Sequence, residues 1–235
     1  MALFTIGDLH LPLGIDKPMD IFGGKWTNYV ERIADNWQTN VKNNDVVVIP
    51  GDFSWATYLE QTYKDFEFLN KLNGTKILLK GNHDYWWTTL NKLNKFIAEN
   101  GFEDIYFLHN NSYKYGGTAI CGTRGWMHPH WENVTEDDIK IFNREAARLK
   151  ISLDSARDYS EIYVFTHYPP MSLNLEENDF VKTMRQYPVT KCVYGHLHSH
   201  SHRNAVNKTV GGIEYMLVSG DYIDFNPVKL IEEDR

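Results

Sequence analysis

Residues 1–10 read MALFTIGDLH, an apolar segment that runs directly into a glycine, an aspartate and a histidine. The segment ALFTI (2–6) has the length and the residue types of a β-strand. Ligand sites in open α/β sheets lie beyond the carboxyl ends of the strands. Asp8 and His10 come just past this strand and are therefore candidates for such a site.

Four further apolar segments run into clusters of the same kind. The clusters are GDFSW (51–55), GNHDYWW (81–87), THYPP (166–170) and GHLHSH (195–200). Glycine begins three of these four clusters and also precedes Asp8, which favours a sharp turn with close approach of the backbone. Five clusters at equivalent topological positions predict one shared site.

Strand-like and helical segments alternate along the chain. Further strands are predicted at 45–50, 76–80, 105–108, 118–122, 161–166, 191–195 and 214–219, and helical spacing occurs in 25–42, 56–72, 87–99 and 136–157. This alternation predicts an α/β fold with a largely parallel sheet, and the strand-rich end of the chain favours a mixed or second sheet. No linker-like segment divides the sequence, so we expect a single domain spanning 1–235.

The composition limits the partners of the protein. The net charge of −7, from 24 basic and 31 acidic residues, argues against binding of long nucleic acid. No apolar run approaches the ~20 residues of a membrane span, and the opening strand does not resemble a signal peptide, so we expect a cytoplasmic protein without membrane contact. Cys121 and Cys192 lie in strand-like segments and are expected to be buried free thiols.

The clusters together supply two carboxylates, one amide oxygen and four imidazoles. These candidate ligands are Asp8, His10, Asp52, Asn82, His167, His196 and His198. Oxygen and nitrogen donors without a thiolate suit Mn, Fe, Zn or Co. Seven side chains are too many for one tetrahedral ion and suit two metal ions, each completed by water, with one carboxylate bridging them.

The ordered series D-x-H, G-D, G-N-H-D, a single histidine and G-H-x-H resembles the calcineurin-like metallophosphoesterases, over the span from Asp8 to His198. The resemblance implies a four-layer α/β/β/α sandwich of two mixed sheets flanked by helices. It implies that Asp8, His10 and His198 hold one metal ion and that Asn82, His167 and His196 hold the other. Asp52 would bridge them.

The resemblance also assigns catalytic roles. His83 matches the histidine that approaches the leaving-group oxygen, and Asp84 matches the acidic residue that orients it. Two cations about 3.5–4 Å apart would clamp the attacking and leaving oxygens of a phosphate ester and activate a bound hydroxide as nucleophile. His83 would assist the leaving group.

The sequence departs from the protein serine/threonine phosphatases of this fold. Their phosphate-gripping arginine after the second Gly-Asp is absent here, where the chain reads GDFSWATY (51–58). Candidates for substrate contact are instead Arg124, Trp126 and His128. For Arg124 the alternative is a pair with a carboxylate, and for the loop aromatics it is local packing.

We therefore expect hydrolysis of a small phosphodiester or phosphomonoester, for which a nucleotide is one candidate. The alternative is a non-catalytic metal-binding scaffold for protein interactions. Such a scaffold would tolerate replacement of His83 or of a metal ligand, and none of these residues is replaced here. The sequence leaves the oligomeric state open. His200 and His202 are expected to be exposed loop histidines, and Asp221 in SGDY a turn or strand-end carboxylate outside the ligand set.

Overall fold

The computed structural model describes residues 1–17, 19, 21, 23–131 and 133–232. Its strands are β1 (Ala2–Thr5), β2 (Val46–Pro50), β3 (Thr75–Leu79), β4 (Ile105–Phe107), β5 (Ser112–Tyr115), β6 (Thr118–Thr123), β7 (Glu161–Thr166), β8 (Val189–Tyr194), β9 (Thr209–Val210), β10 (Ile213–Leu217) and β11 (Val228–Glu232). Its α-helices are α1 (Tyr29–Asn40), α2 (Tyr63–Asn70), α3 (Leu90–Glu99), α4 (Glu136–Asp154) and α5 (Asp179–Met184).

The strands form two mixed sheets. The first has the order β11-β1-β2-β3-β4 and the second has the order β5-β6-β7-β8-β10-β9. The central pairs are parallel, whereas β11, β5 and β9 pair antiparallel at or near the edges. The expectation of an α/β/β/α sandwich with two mixed sheets is confirmed.

Side chains alternate between two environments along each central strand. In β2, Val47 and Ile49 pack into the core that contains α1, α2 and α3, whereas Val48 points to the opposite face. In β7, Val164 packs against the side of α4 and α5, whereas Phe165 joins Val48. Because successive strand residues face opposite sides, each sheet buries one face under helices and the other against its partner sheet.

Each strand predicted from the sequence overlaps an observed strand, but the short elements β5, β9, β11 and α5 were not predicted. These elements are partly exposed or only two to six residues long. Short, half-exposed segments carry little periodicity by which they could be recognised. The carboxyl ends of β1, β2, β3, β7 and β8 all precede a predicted ligand cluster, so the fold brings the five clusters to one edge. Both cysteines are buried and free.

Candidate metal centre

The first group of donors comes from the loops after β1 and β8. His10 Nε2 lies 3.3 Å from His198 Nε2. His198 Nε2 in turn lies 3.4 Å from Asp8 Oδ1. Asp8 and His10 are buried, and His198 is partly exposed. Two neighbouring residues of the first loop and one residue about 190 positions later thus direct donor atoms to one point.

The second group comes from the loops after β3, β7 and β8. Asn82 Oδ1 lies 2.6 Å from His167 Nε2 and 2.8 Å from His196 Nδ1. The two imidazole nitrogens are 3.3 Å apart. Asp52 stands between the groups, because its Oδ2 is 3.6 Å from His10 Nε2 and 3.4 Å from His167 Nε2.

These separations of 2.6–3.6 Å are close to those between the ligands of one metal ion. Ligand atoms about 2.1 Å from one ion lie about 3.0–3.4 Å from one another. Two sets of three side chains have the residue types and the close donor atoms of a metal site. They are Asp8, His10 and His198, and Asp8, Asp52 and His167. The residues present therefore fit divalent metal ions.

The electrostatics of the cluster favour cation binding. Burial lowers the pKa of His167 to about 3 and that of His196 to about 4, so both imidazoles are neutral, as metal ligation requires. Burial raises the pKa of Asp52, and the carboxylates of Asp84 and Asp8 raise it further. Burial would lower the pKa of His198, but Asp8 and Asp221 outweigh it and raise that pKa to about 10. Acidic groups thus attract positive charge into the cluster.

The backbone is strained at the candidate ligands. Asp8, His10, Asp52 and His196 have φ values of 57°, 45°, 51° and 74°, in the left-handed region that residues other than glycine rarely adopt. Such conformations cost roughly 1–3 kcal/mol each and persist where the surrounding structure enforces them, often at functional sites.

Two glycines allow the loops to pack this closely. A Cβ atom on Gly81 would lie 2.0 Å from Asp52 Oδ1, and one on Gly195 would lie 2.4 Å from Asp8 Oδ2. No side chain fits at either position without moving a candidate ligand. The glycine that begins each of these clusters therefore serves close backbone approach, as the sequence predicted.

Groups behind the candidate ligands hold their rings in place. His167 Nδ1 is 3.1 Å from the carbonyl oxygen of Pro50, which leaves Nε2 directed at the cluster. Asp221 Oδ1 is 2.8 Å from His198 Nδ1. Asp221, predicted to be a turn or strand-end carboxylate outside the ligand set, thus contacts a candidate ligand, and its segment SGDY follows β10 just as the five clusters follow their strands. The same carboxylate lies 3.2 Å from His202, which is therefore not a simple exposed histidine, whereas His200 is exposed as expected.

His83 lies at the rim of the cluster. Its backbone N–H donates to Asp52 Oδ1 at 2.8 Å. Its ring packs against Trp55 and His10, with centroid distances of 4.5 and 5.6 Å. Burial lowers the pKa of His83, and the nearby Lys17 ammonium lowers it further.

Asp84 is fully buried and binds the backbone of the neighbouring loop. Its carboxylate accepts hydrogen bonds from the amides of Asp52, Phe53, Ser54 and Gly81 and from the indole of Trp86, over 2.7–3.3 Å. Asp84 thus fixes the loop that carries Asp52. Orientation of the His83 ring by Asp84 stays a prediction.

The three residues expected to contact substrate lie in the segment that follows β6. The Arg124 guanidinium is 3.4 Å from Glu145 and stacks over Trp126, the carboxylate-paired arrangement that the sequence left as an alternative. Trp126 packs on Tyr168, whose ring lies 4.2 Å from that of His196. His128 is buried and lies near Trp131. Substrate contact by Arg124, Trp126 and His128 stays a prediction.

The fold and the convergent donors define a metallohydrolase-like site at the strand ends. The sequence pattern of the calcineurin-like phosphoesterase family matches residues 1–200, and the chain belongs to this family. An uncharacterized protein of Methanocaldococcus jannaschii is 24% identical over 144 residues, which cover 61% of this chain and 70% of that protein.

Solved structures share the fold at low identity. A protein of Thermus thermophilus aligns with a TM-score of 0.59 and 11% identity, covering 97% of this chain and 96% of its own. The phosphopantetheinyl hydrolase of Mycobacterium tuberculosis aligns with a TM-score of 0.57 and 11% identity, covering 99% and 96%. A protein of unknown function from Aquifex aeolicus aligns with a TM-score of 0.51 and 16% identity, covering 97% of this chain and 95% of its own.

Family membership and the candidate ligand groups identify the chain as a metal-dependent phosphoester hydrolase in general terms. Among the described residues, no helix has both the length and the apolar character needed to cross a membrane.

Proposed function

We propose that this protein hydrolyses a small phosphodiester or phosphomonoester at a centre of two metal ions. The observation that carries the proposal is the position of Asp52 Oδ2, 3.6 Å from His10 Nε2 in one donor group and 3.4 Å from His167 Nε2 in the other. A carboxylate shared by two groups of imidazole, amide and carboxylate donors is the arrangement expected of a dinuclear centre.

In this proposal each ion has its own ligands and shares one. Asp8, His10 and His198 would hold the first ion, Asn82, His167 and His196 would hold the second, and Asp52 would contact both. Mn, Fe, Zn or Co suits these donors. When bound, such ions polarise phosphoryl oxygens and lower the pKa of a coordinated water to supply the nucleophile.

The chain itself supplies the groups around the reaction. His83, held at the rim by Trp55 and by its backbone bond to Asp52, is the residue we propose to protonate the departing alkoxide. Asp84 keeps the Asp52 loop in its strained conformation through its hydrogen bonds to backbone amides. His83 thus has a chemical role and Asp84 a positioning role, and positioning matters because the reacting groups must be aligned before the bond breaks.

A small ester is a better candidate than a protein or long nucleic acid. The net charge is −7, and such a chain does not attract polyanions broadly. The neighbour from Mycobacterium tuberculosis is named for hydrolysis of a phosphopantetheinyl group, which fits a small organic ester. A nucleotide stays one candidate substrate.

The proposal is tested with the full chain loaded with Mn²⁺, using 4-nitrophenyl phosphate and bis(4-nitrophenyl) phosphate. We expect turnover of at least one ester and about two bound ions per chain by elemental analysis. Folded protein that binds two ions and turns over neither ester would favour the scaffold alternative. Turnover with a single bound ion would overturn the dinuclear part of the proposal.

A further inference from the structure

A cavity of about 320 Å³ adjoins the second donor group. Its wall includes the apolar residues Trp131, Pro169, Met171, Leu173 and Leu197, and one face is formed by His196. Small-molecule sites typically have volumes of this order, with apolar walls and a few polar groups. Candidate ligand His196 is thus common to the donor cluster and the cavity.

The described residues that line the cavity offer no formal charge to a ligand. Its remaining described lining residues are Ser172 and Asn204, which are neutral hydrogen-bonding side chains. None of the described lining residues is a lysine, arginine, aspartate or glutamate. An additional phosphate would lose its hydration there without gaining a counter-charge from these residues. A quaternary ammonium group would meet the single indole of Trp131 rather than the cage of several aromatic rings that typically binds it. The cavity therefore suits a neutral, apolar organic group.

The cavity lies on the His196 side of the cluster, whereas the leaving-group residue of the proposed function lies with the first donor group. His83 packs against His10 and Trp55 and does not belong to the described cavity lining. His196, by contrast, contacts Asn82 and His167 of the second group. A phosphorus atom bound at the cluster would direct its departing oxygen towards His83 and another substituent towards the cavity.

We propose that the cavity binds the organic group that stays on phosphorus, and that the enzyme is consequently a phosphodiesterase for esters whose retained group is neutral and apolar, such as an aryl group. This inference rests on the proposed function, and it specifies the substrate class of the same site. The reaction remains hydrolysis: water adds to phosphorus, the leaving-group P–O bond breaks, and the retained ester bond stays intact.

The test holds the leaving group constant and changes only the retained group. Phenyl 4-nitrophenyl phosphate, methyl 4-nitrophenyl phosphate, 4-nitrophenyl phosphorylcholine and 4-nitrophenyl phosphate are compared with the Mn²⁺-loaded full chain. We expect kcat/KM for the phenyl diester to exceed that of the other three by about tenfold or more, the scale on which apolar pockets discriminate. Phenyl phosphate, the retained product, should inhibit about tenfold more strongly than methyl phosphate.

A matched pair of variants locates the effect. Leu173 is 54% exposed and Ile151, on α4 and outside the described cavity lining, is 50% exposed, so asparagine at either position leaves the core intact. Leu173→Asn should reduce the phenyl-to-methyl ratio at least threefold, whereas Ile151→Asn should not change it. Equal rates for the phenyl and methyl diesters, or a faster monoester, would overturn the cavity inference alone. Hydrolysis of none of the four esters would overturn the proposed function with it.

Discussion

The carboxylate of Asp221 links two histidines of the GHLHSHSH segment (195–202), lying 2.8 Å from Nδ1 of His198 and 3.2 Å from Nε2 of His202. Because Asp221 engages Nδ1, the other nitrogen of His198 faces Asp8 and His10. A carboxylate behind a metal-binding histidine fixes the ring and its tautomer and makes the ring a stronger ligand. Asp221 is therefore a positioning residue for the candidate metal centre.

Replacement of Asp221 should weaken metal binding without unfolding the protein. We expect Asp221→Asn to reduce the affinity for Mn²⁺ or Co²⁺ about tenfold, because the amide retains the shape of the side chain but loses its charge. Chelator competition measures this affinity, and the visible spectrum of the Co²⁺ form reports ligand geometry. Asp137→Asn, at an exposed carboxylate of α4, serves as the control. Identical affinities for the two variants would remove Asp221 from the site.

A methyl group on Gly195 should disrupt the position of Asp8. The added Cβ would lie 2.4 Å from Asp8 Oδ2, so the carboxylate or the loop must move. We expect Gly195→Ala to lose bound metal and to lower the free energy of unfolding by roughly 1–3 kcal/mol, as overpacking does. Gly117→Ala is the matched control, because its Cβ meets nothing within 4 Å. Elemental analysis and urea unfolding distinguish them, and full metal content in Gly195→Ala would contradict the close packing.

Because His83 lies at the rim of the cluster and is not a candidate ligand, its replacement should affect turnover without affecting metal binding. His83→Asn keeps the backbone N–H that bonds Asp52. We expect turnover of a phenyl ester, whose more basic leaving group depends on protonation, to fall by about 10²–10⁴, the usual contribution of a general acid, with metal content unchanged. His200→Asn, at an exposed histidine of the same cluster region, should retain turnover. A parallel loss of metal in His83→Asn would instead make His83 a ligand.

Asp65 should make the stability of the fold depend on pH. The residue is fully buried and accepts hydrogen bonds from the Leu13 amide and the Ser54 hydroxyl. Burial raises the pKa of Asp65 to about 7, although these hydrogen bonds oppose the change. The folded state therefore holds a proton between about pH 4 and pH 7 that the unfolded state has released, and this contribution to stability is lost as the pH rises towards 7.

Asp65→Asn should remove this dependence. The difference in unfolding free energy between the parent and the variant should change by about 2–3 kcal/mol from pH 5 to pH 8, in the direction that favours the variant at pH 8. Urea unfolding at both pH values measures it, with Asp137→Asn as the surface carboxylate control. A difference that does not vary with pH would mean that Asp65 is ionised throughout this range.

Local patterns were sufficient to predict the main strands, the α/β class and the meeting of the ligand clusters, whereas the four-layer sandwich was predicted from the resemblance to the metallophosphoesterases. In β1 and β2 a short run of consecutive apolar residues is enough to predict a strand. The carboxyl ends of parallel strands share one edge of the sheet, which predicts that the clusters meet there. Glycine before Asp8 and Asp52 similarly marked a tight turn, which the observed left-handed backbone requires. These properties depend on residues close together in the chain.

Other features depend on residues that are distant in sequence. Arg124 had two possible partners, and Glu145 on α4 takes its guanidinium because the helix packs over β6. Asp221 reaches His198 across 23 positions, and the apolar cavity needs Trp131, Met171 and Leu197 from three separate segments. No local pattern predicts such pairings, because many side chains in the sequence could serve as partners. The packing of the folded chain decides which of them come into contact. The order of the ligand motifs was thus determined by the sequence itself, whereas the support of each ligand and the shape of the adjoining cavity were decided by packing.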